Sequence, residues 1–547
     1  MRKLTQLTIP EIFSETCKRY KDRNAFSFVG EQPRTYADVD DRIRSLVTFL
    51  EKLGIKPGDK VAILGTNMPN WPIGYLAVSF IGAVVVPILP DFSEEEIGNI
   101  LQHSEAKTIF VSEKLQETLN RIYAPGILHT IKLEDFSLIS ATEKDIQYKA
   151  EDLTTRKFSV REDDLASIVY TSGTTGRSKG VMLSHKNIVS NAIAGGYVQQ
   201  IDENDRFLSI LPLSHTYENT IGMILPILCG ASVYYMKEKP VPANLIKAMQ
   251  QVKPTMMLTV PLIIEKVFRN RVKPALTANL FLKILYRISF LRKKMHRRAG
   301  VQLMESFGGK LKFFGIGGAK LDREVEKFLI EAKFPYAIGY GLTETSPLLA
   351  GVNPHHVRLQ STGPAIQGIE LRIKDPDEKT GIGEIWAKGP NVMQGYYKNE
   401  EESKKILSGD GWLKTGDLGV FDRDNFLYLK GRVKNVIVGA NGENVYPEEI
   451  ESLINNFRHV AESIVLNKKG KLVALVHLNM EELEKRYQYL QDELHHQLEK
   501  KKQDLINELM EYVNARVTKF ARLKMIVLHA EPFQKTPTQK IKRFLYS

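Results

Sequence analysis

Short, continuously apolar runs of strand length recur through the first four hundred or so residues, each separated from the next by helix-period sequence. Lys60 to Leu64 (KVAIL) and Ala83 to Leu89 (AVVVPIL) are the plainest. Phe207 to Leu211, Ser232 to Met236, Met256 to Val260, Leu311 to Ile316 and Tyr336 to Tyr340 repeat the pattern, with amphipathic helices such as Pro242 to Gln251 and Asp322 to Ala332 between them. Alternation of this kind predicts an α/β fold of largely parallel sheets covered by helices. The strands are too many for one twisted sheet, so a large N-terminal domain of two stacked α/β subdomains is expected, with a smaller β-rich piece around residues 360 to 430.

The pattern changes near Gly431-Arg432-Val433-Lys434, which places a domain boundary there: residues 1–431, then a small α+β domain over 432–547. In the latter, Pro447 to Asn456 reads as a helix and Ala461 to Leu466 and Leu472 to Leu478 as strands. An inserted, highly charged helical stretch runs from about 480 to 516, with Leu483, Tyr487, Leu490, Leu494, Leu498, Leu505 and Leu509 near one stripe. Such a stripe serves either as a coiled-coil or partner surface or as the inner face of a hairpin packed on its own domain.

Composition removes several classes of function. With 43% hydrophobic and 26% charged residues the chain has the make-up of a soluble protein. No apolar run is long enough to span a bilayer, and the start MRKLTQLTIPEIF lacks a secretory core, so a cytoplasmic location is expected. Cys17 and Cys229 stand far apart and without metal-ligand spacing, which predicts neither a disulfide frame nor a zinc site. A net charge of +12 favours anionic partners: nucleotides, CoA, acidic carrier proteins or the inner face of a membrane. No nucleic-acid recognition motif accompanies the charge, so no nucleic-acid partner is expected.

One segment carries dense chemistry. Tyr170 to Gly180, YTSGTTGRSKG, follows a strand-like run (Leu165 to Tyr170) and precedes a helix expected from about Ser184. Glycines let backbone N–H groups turn inward, hydroxyls add rotatable donors, and Lys179 adds a mobile cation, as a loop wrapping a polyphosphate requires. A plain polar turn is the other reading. Walker A spacing is absent, because Ser178 stands where the glycine before Lys-Ser/Thr would be. Four more clusters follow: FFGIGGAKL (Phe313 to Leu321), GYGLTETSP (Gly339 to Pro347), WLKTGDLG (Trp412 to Gly419) and KGRVKNVIVGANGENVYPEEIE (Lys430 to Glu451). The chain closes on KTPTQKIKR, Lys535 to Arg543.

In order and spacing these clusters resemble the adenylate-forming (AMP-binding) superfamily of acyl-CoA synthetases, luciferases and adenylation domains, over nearly the whole chain. The resemblance implies ATP, Mg2+ and CoA as the small molecules used. It implies that Thr171, Ser172, Gly173, Thr174, Thr175, Gly176 and Lys179 hold the β- and γ-phosphates. Gly317, Gly318 and Ala319 would border the adenine, Tyr340 would stack on it, and Gly341 would let backbone approach the nucleotide. Thr343 would donate to the α-phosphate. Glu344 would hold magnesium with the Thr171 hydroxyl as a second ligand, sparse ligation that suits a cation bridging ATP phosphates. Asp417 would accept the ribose hydroxyls, a role a carboxylate fills well, and Arg432 would help hold ribose and phosphates. Lys434 sits at the hinge position, and Lys540 is the implied catalytic lysine, an ammonium that offsets charge developing between carboxylate and α-phosphate. Two departures stand out: Ser178 replaces the usual proline before Lys179, loosening the loop without removing a donor, and Gln539 replaces the usual glycine before Lys540.

The substrate is read from three further segments. LPLSHTYE (Leu211 to Glu218) resembles a run of fatty acyl-CoA synthetases in which His215 would lie near the acyl-adenylate carbonyl; a structural hydrogen-bonding histidine is the alternative. VPLIIEKVF (Val260 to Phe268) is similar to a segment of the long-chain group. Asn279 to Arg298 reads as one basic amphipathic helix, with Phe281, Ile284, Leu285, Ile288, Leu291 and Met295 on one face. Such a helix either contacts an anionic membrane or covers the domain with its charges solvated. The resulting expectation is activation of a long-chain fatty acid and transfer to CoA. Transfer to acyl carrier protein, or a nucleotide- or lipid-binding scaffold without turnover, are the alternatives.

Overall fold

The computed structural model describes residues 4–141, 146–154, 156, 158–171, 178–438, 443–468, 470–479, 494–536 and 541–546, with backbone alone over 494–502. Its contacts gather into two units. One comprises Met1–Arg372, Trp386–Lys414 and Asp422–Leu427; the other comprises Ile373–Ile385, Thr415–Phe421 and Tyr428–Ser547.

The larger unit is built on two sheets. One has seven strands in the order Tyr336–Ile338, Phe313–Ile316, Met256–Thr259, Arg206–Ser209, Ser232–Tyr235, Asn24–Phe28 and Arg34–Thr35, parallel except for the last pair. The other has eight, Gly395–Tyr396, Lys179–Ser184, Leu165–Thr171, Val84–Ile88, Lys60–Leu64, Thr108–Val111, His129–Lys132 and Leu138–Ser140, with a parallel centre and antiparallel edges. Val84–Ile88 is buried at every position, which is why its sequence shows no polar alternation.

Helices Ile9–Tyr20, Tyr36–Lys52, Asn70–Ile81 and His185–Val198 contribute to one core with both sheets. Phe13, Tyr36 and Trp71 meet Phe26 and Val233 of the seven-stranded sheet and Val61 and Val85 of the eight-stranded one. Each such side chain contributes roughly 1.5–3 kcal/mol by leaving water. Eleven residues of Asn70–Ile81 are buried, among them Trp71 and Tyr75, so the helix is enclosed on all sides and carries no polar stripe. Tyr36–Lys52 starts on a capping box in which Thr35 and Asp38 satisfy each other's backbone N–H. The α/β architecture of stacked subdomains is thus the observed one.

The helix expected from about Ser184 is present, beginning at His185 on the Ser184 cap, but an unannounced strand precedes it: Lys179–Ser184 lies antiparallel to Leu165–Thr171, with Val169 opposite Val181. One local expectation is corrected: 279–298 is not one helix. Leu280–Arg287 and Ser289–Ser306 are separate helices, divided at Ile288, whose backbone is extended (φ −83°, ψ 113°). The supposed common face is therefore split: Phe281, Ile284 and Ile288 are exposed, whereas Leu291 and Met295 are half-buried.

In the smaller unit, strands Val460–Lys468 and Lys471–Leu478 pair antiparallel, and Met525–Leu528 adds parallel to the second. Ile450 and Ile454 of helix Pro447–Asn455 and Leu505, Leu509 and Val513 of helix Leu494–Asn514 close a core over this sheet with Val476. The described end of the leucine stripe is thus the inner face of a helix packed on its own unit. Leu483, Tyr487 and Leu490 lie outside the described residues. Among the described residues no helix is long and apolar enough to cross a membrane.

Candidate active site

The strands that flank the glycine-rich segment, Leu165–Thr171 and Lys179–Ser184, pair antiparallel. Thr171 and Lys179 face each other at the last registered pair of these two strands, so the loop leaves and rejoins the sheet at one point. Ser172, Gly173, Thr174, Thr175 and Gly176 lie outside the described residues. Lys179 pairs with Glu402, and its ammonium stands 5.0 Å from the centre of the Tyr396 ring. The same Tyr396 donates its hydroxyl to Glu344 Oε1 at 2.8 Å. Lys179 and Glu344, 165 positions apart by subtraction of their numbers, are thereby joined through one side chain. Glu402 is held down to about 2, chiefly by its hydrogen bond to Lys179 and then by Lys405.

Glu402 thus occupies the cation that the sequence assigns to polyphosphate. Exchange of the pair for phosphate oxygens costs that interaction, so Glu402→Gln is expected to lower the KM for ATP about two- to fivefold, as for a partly exposed pair. Steady-state kinetics with varied ATP check this; a raised KM would mean that Glu402 positions Lys179 rather than competing for it.

Thr343 and Glu344 ride on a short 3₁₀ turn, Thr343–Thr345, fixed from beneath. Thr345 is fully buried and donates to the Pro347 carbonyl at 2.5 Å; Asn391 Nδ2 donates to the Thr345 carbonyl at 2.7 Å, and Ser346 donates to the Asn391 carbonyl at 3.0 Å. The two outer side chains, Thr343 and Glu344, stay half-exposed. Tyr340 is buried in the two-residue strand before this turn, and a Cβ at Gly341 would fall 1.9 Å from the Pro347 carbonyl oxygen, so glycine is required there. Gly317 follows strand Phe313–Ile316 and donates to the Thr259 carbonyl at 3.0 Å; Gly318, at φ +85°, and Ala319 are exposed beyond it.

An apolar cleft opens beside these glycines. Tyr217, Ile221, Leu258, Gly315, Gly339 and Gly351 are among its walls. Tyr217 and Ile221 belong to a π-helix, Tyr217–Ile224, a wide turn that recurs at functional sites. His215 precedes it, and its Nδ1 accepts from the Tyr217 N–H at 3.2 Å, which leaves Nε2 carrying the ring proton. Glu218 is buried on the same turn; desolvation raises it to about 8, and a hydrogen bond from Ser209 opposes the rise only partly.

The smaller unit holds the other assigned residues. Asp417 is buried, its Oδ1 3.0 Å from Arg432 Nε. Its backbone N–H donates to Thr415 Oγ1 at 3.1 Å, and Thr415 in turn donates to the Ile385 carbonyl at 2.6 Å. Lys434 is exposed on the 3₁₀ turn Val433–Asn435 that follows Arg432. Lys540 lies outside the described residues.

A cation fits the donors present. Glu344 offers a half-exposed carboxylate with one oxygen engaged by Tyr396. Among the described residues no group of three or more His, Cys, Asp or Glu could hold a metal. A hard cation here would take its remaining ligands from phosphate and water, the habit of Mg2+. Tyr396, Glu402 and Asn391 escaped the sequence reading; only the run GYYKNEEES, Gly395 to Ser403, crowds aromatic and acidic residues enough to have drawn attention.

The family profile described as AMP-binding enzyme matches residues 13–397. The chain belongs to the AMP-binding enzyme family. Among its relatives is the long-chain-fatty-acid–CoA ligase FadD15 of Mycobacterium bovis, 30% identical over 481 residues, which cover 82% of this chain and 78% of that protein. The long-chain-fatty-acid–CoA ligase heimdall of Drosophila melanogaster is 28% identical over 515 residues, covering 84% and 74%. The fold is shared with ATP-bound MatB from Rhodopseudomonas palustris, at a TM-score of 0.77 and 23% identity over 98% of each chain. In this AMP-binding enzyme the loop, the Tyr340–Glu344 segment and the apolar cleft all fall within the matched residues.

Proposed function

We propose that this AMP-binding enzyme activates a long-chain fatty acid with ATP and passes the acyl group to CoA. The observation that carries the reading is the apolar cleft beside Tyr340–Gly341, whose hydrocarbon walls suit an alkyl chain. The names of the relatives, long-chain-fatty-acid–CoA ligases, support the same substrate class.

A carboxylate is a poor electrophile, so thiol attack on it directly fails. Instead its oxygen attacks the α-phosphorus of ATP, forming a P–O bond and expelling pyrophosphate. The CoA thiol, losing its proton, then attacks the acyl-adenylate carbonyl; a C–S bond forms and AMP leaves. Most of the first step is positioning and charge stabilisation. Thr171 to Lys179 would hold the outer phosphates, with Lys179 released from Glu402 to do so. Tyr340 would stack on the adenine beside Gly317, Gly318 and Ala319, and Gly341 would admit the backbone close to the nucleotide. Thr343 would donate to the α-phosphate, and Asp417 with Arg432 would hold the ribose. Magnesium, when bound at Glu344 with Thr171, would supply positive charge against the phosphates. His215 would face the carbonyl through Nε2–H, and Lys540 would offset charge on the attacking carboxylate and α-phosphate. Rotation of the domain over 432–547 about Lys434 would exchange the groups needed for adenylation for those needed for thioester formation.

Pyrophosphate release with ATP, magnesium and acids from acetate to palmitate and oleate, with and without CoA, tests the reading. Release that peaks at long chains and turns over only with CoA supports it. A burst that stalls despite CoA but turns over with acyl carrier protein redirects the acceptor, and no release with any acid defeats the enzyme reading. The cleft makes a sharper prediction. A Cβ at Gly351 would make ordinary contacts, 3.8 Å to Ile366, Leu348 and Val198, so a larger side chain can enter there without moving backbone. Gly351→Leu is expected to lower kcat/KM for palmitate at least about tenfold more than for octanoate, on the scale of a few methylenes excluded from an apolar pocket.

A further inference from the structure

Residues 266 to 304 contain eleven lysines and arginines and no aspartate or glutamate. Since the formal net charge of the whole chain is +12, nearly all of its excess resides in this one stretch. Ordinary surfaces mix the two signs.

The same stretch carries an exposed apolar helix. Leu280–Arg287, LFLKILYR, has no buried residue at all. Leu280 is 74% exposed, Phe281 67% and Ile284 52%, and the surface continues through Ile288 at 48% and Phe290 at 64%. An apolar helix with no buried face lacks the packing that ordinarily stabilises so short an element. It is nevertheless anchored. Tyr286 reaches back so that its hydroxyl stands 3.2 Å from Nε2 of buried His296 on the following helix. Glu331 holds that helix in place through Arg292 at 2.9 Å and His296 at 2.7 Å.

Glu331 neutralises Arg292 alone among the cations of the two helices. Lys283, Arg287, Lys293, Lys294, Arg297 and Arg298 are exposed and make no ion pair among the described residues. Lys294 lies over the Phe290 ring at 4.5 Å, apolar face and cation side by side. Long aliphatic stems let such cations sit at headgroup level while neighbouring leucine, isoleucine and phenylalanine enter the acyl boundary.

We propose that helix Leu280–Arg287, with Ile288 and Phe290, is a docking surface for an anionic lipid bilayer, the six cations around it engaging lipid phosphates. Charge decides against a second copy of the chain as the occupant, because self-association would bring two stretches of this excess against each other. The inference concerns a surface and not the reaction, so its test needs no turnover.

Full-length protein is sedimented with vesicles of phosphatidylcholine alone and of phosphatidylcholine with about a third phosphatidylglycerol, at low and high salt. Binding at least about tenfold tighter to the anionic vesicles and weakened by salt is expected, from six basic side chains near a charged surface. Phe281→Ser with Phe290→Ser, and separately Lys293→Gln, Lys294→Gln, Arg297→Gln and Arg298→Gln together, are each expected to cut that binding about tenfold or more. Unchanged melting curves will show that both variants fold. Equal binding to the two vesicle types, or binding that neither variant changes, would overturn the proposal. So would concentration-dependent dimerisation abolished by the phenylalanine pair, or saturable capture by polyglutamate without vesicle binding; the first would mean a second copy and the second an acidic protein.

Discussion

Lys540→Met is expected to slow pyrophosphate release from ATP and fatty acid about 100- to 1,000-fold, the loss that follows removal of one preorganised charge from a reacting centre. Lys540 lies outside the described residues; the described residues on either side of it are anchored. Before it, Lys535 pairs with Glu462 at 2.5 Å, and buried Phe533 packs against the rings of His529 and Tyr546 at 4.8 and 5.1 Å. After it, Lys542 donates its N–H to the Gln534 carbonyl at 2.8 Å and Arg543 pairs with buried Glu451. The decisive comparison separates the half-reactions. Thioester formation from a supplied acyl-adenylate and CoA should stay within about threefold of the parent, because the α-phosphate is already substituted. Equal loss in both half-reactions would make Lys540 structural, and no loss would remove it from the chemistry. Lys535→Met serves as the control for a lysine whose partner is Glu462.

The centre of the fold was legible in the sequence because its strands are buried on both faces. Val84–Ile88 and Lys60–Leu64 lie between parallel neighbours under helices, so local composition and tertiary burial agree. Where they disagree the reading failed. Lys179–Ser184 is a strand only because Leu165–Thr171 and Gly395–Tyr396 pair with it on either side; six residues beginning Lys-Gly announce nothing alone. The break at Ile288 has no proline or glycine to mark it. Its cause is tertiary: Arg292 and His296 commit the following helix to Glu331, while Leu280–Arg287 has no buried face to commit.

Much the same holds for the site. Thr171, Lys179, Tyr340, Thr343, Glu344, Asp417 and Arg432 were nameable from compact motifs. The partners that set their electrostatics were not, because they come from far along the chain. Glu402 is 223 residues from Lys179, and Tyr396 is 52 from Glu344. A hydroxyl that steadies a carboxylate, or a carboxylate that occupies a lysine, has no spacing rule by which a single sequence could declare it.

Glu218→Gln is expected to stabilise the protein near pH 8 while leaving it almost unchanged near pH 5. Burial raises the Glu218 carboxyl from 4.5 to about 8, with the Ser209 hydroxyl opposing the shift. Ser209 is itself held by Asn67 Nδ2 at 3.0 Å, and Glu218 Oε2 has no hydrogen-bond partner among the described residues. Between those two values the folded chain keeps a proton that the unfolded chain has released. Stability therefore falls as pH rises across that window and levels off above about pH 8. The full difference is about 5 kcal/mol, from the size of the shift. Glutamine keeps the shape and an acceptor for Ser209 but cannot ionise, so the slope disappears. Denaturation midpoints of parent and variant across this range read the difference directly, other titrating groups cancelling. The carboxyl also lies against Gly222, where a Cβ would come within 2.7 Å of the Glu218 carboxyl carbon, so Gly222→Ala should displace the side chain and lower stability at every pH. Both residues belong to the π-helix that brings Tyr217 and Ile221 to the cleft wall, which ties this neutral carboxyl to the shape of the proposed acyl site. A parent that instead gained stability relative to the glutamine variant as pH rose would mean that Glu218 is ionised in the folded chain, and the neutral carboxyl would have to be abandoned.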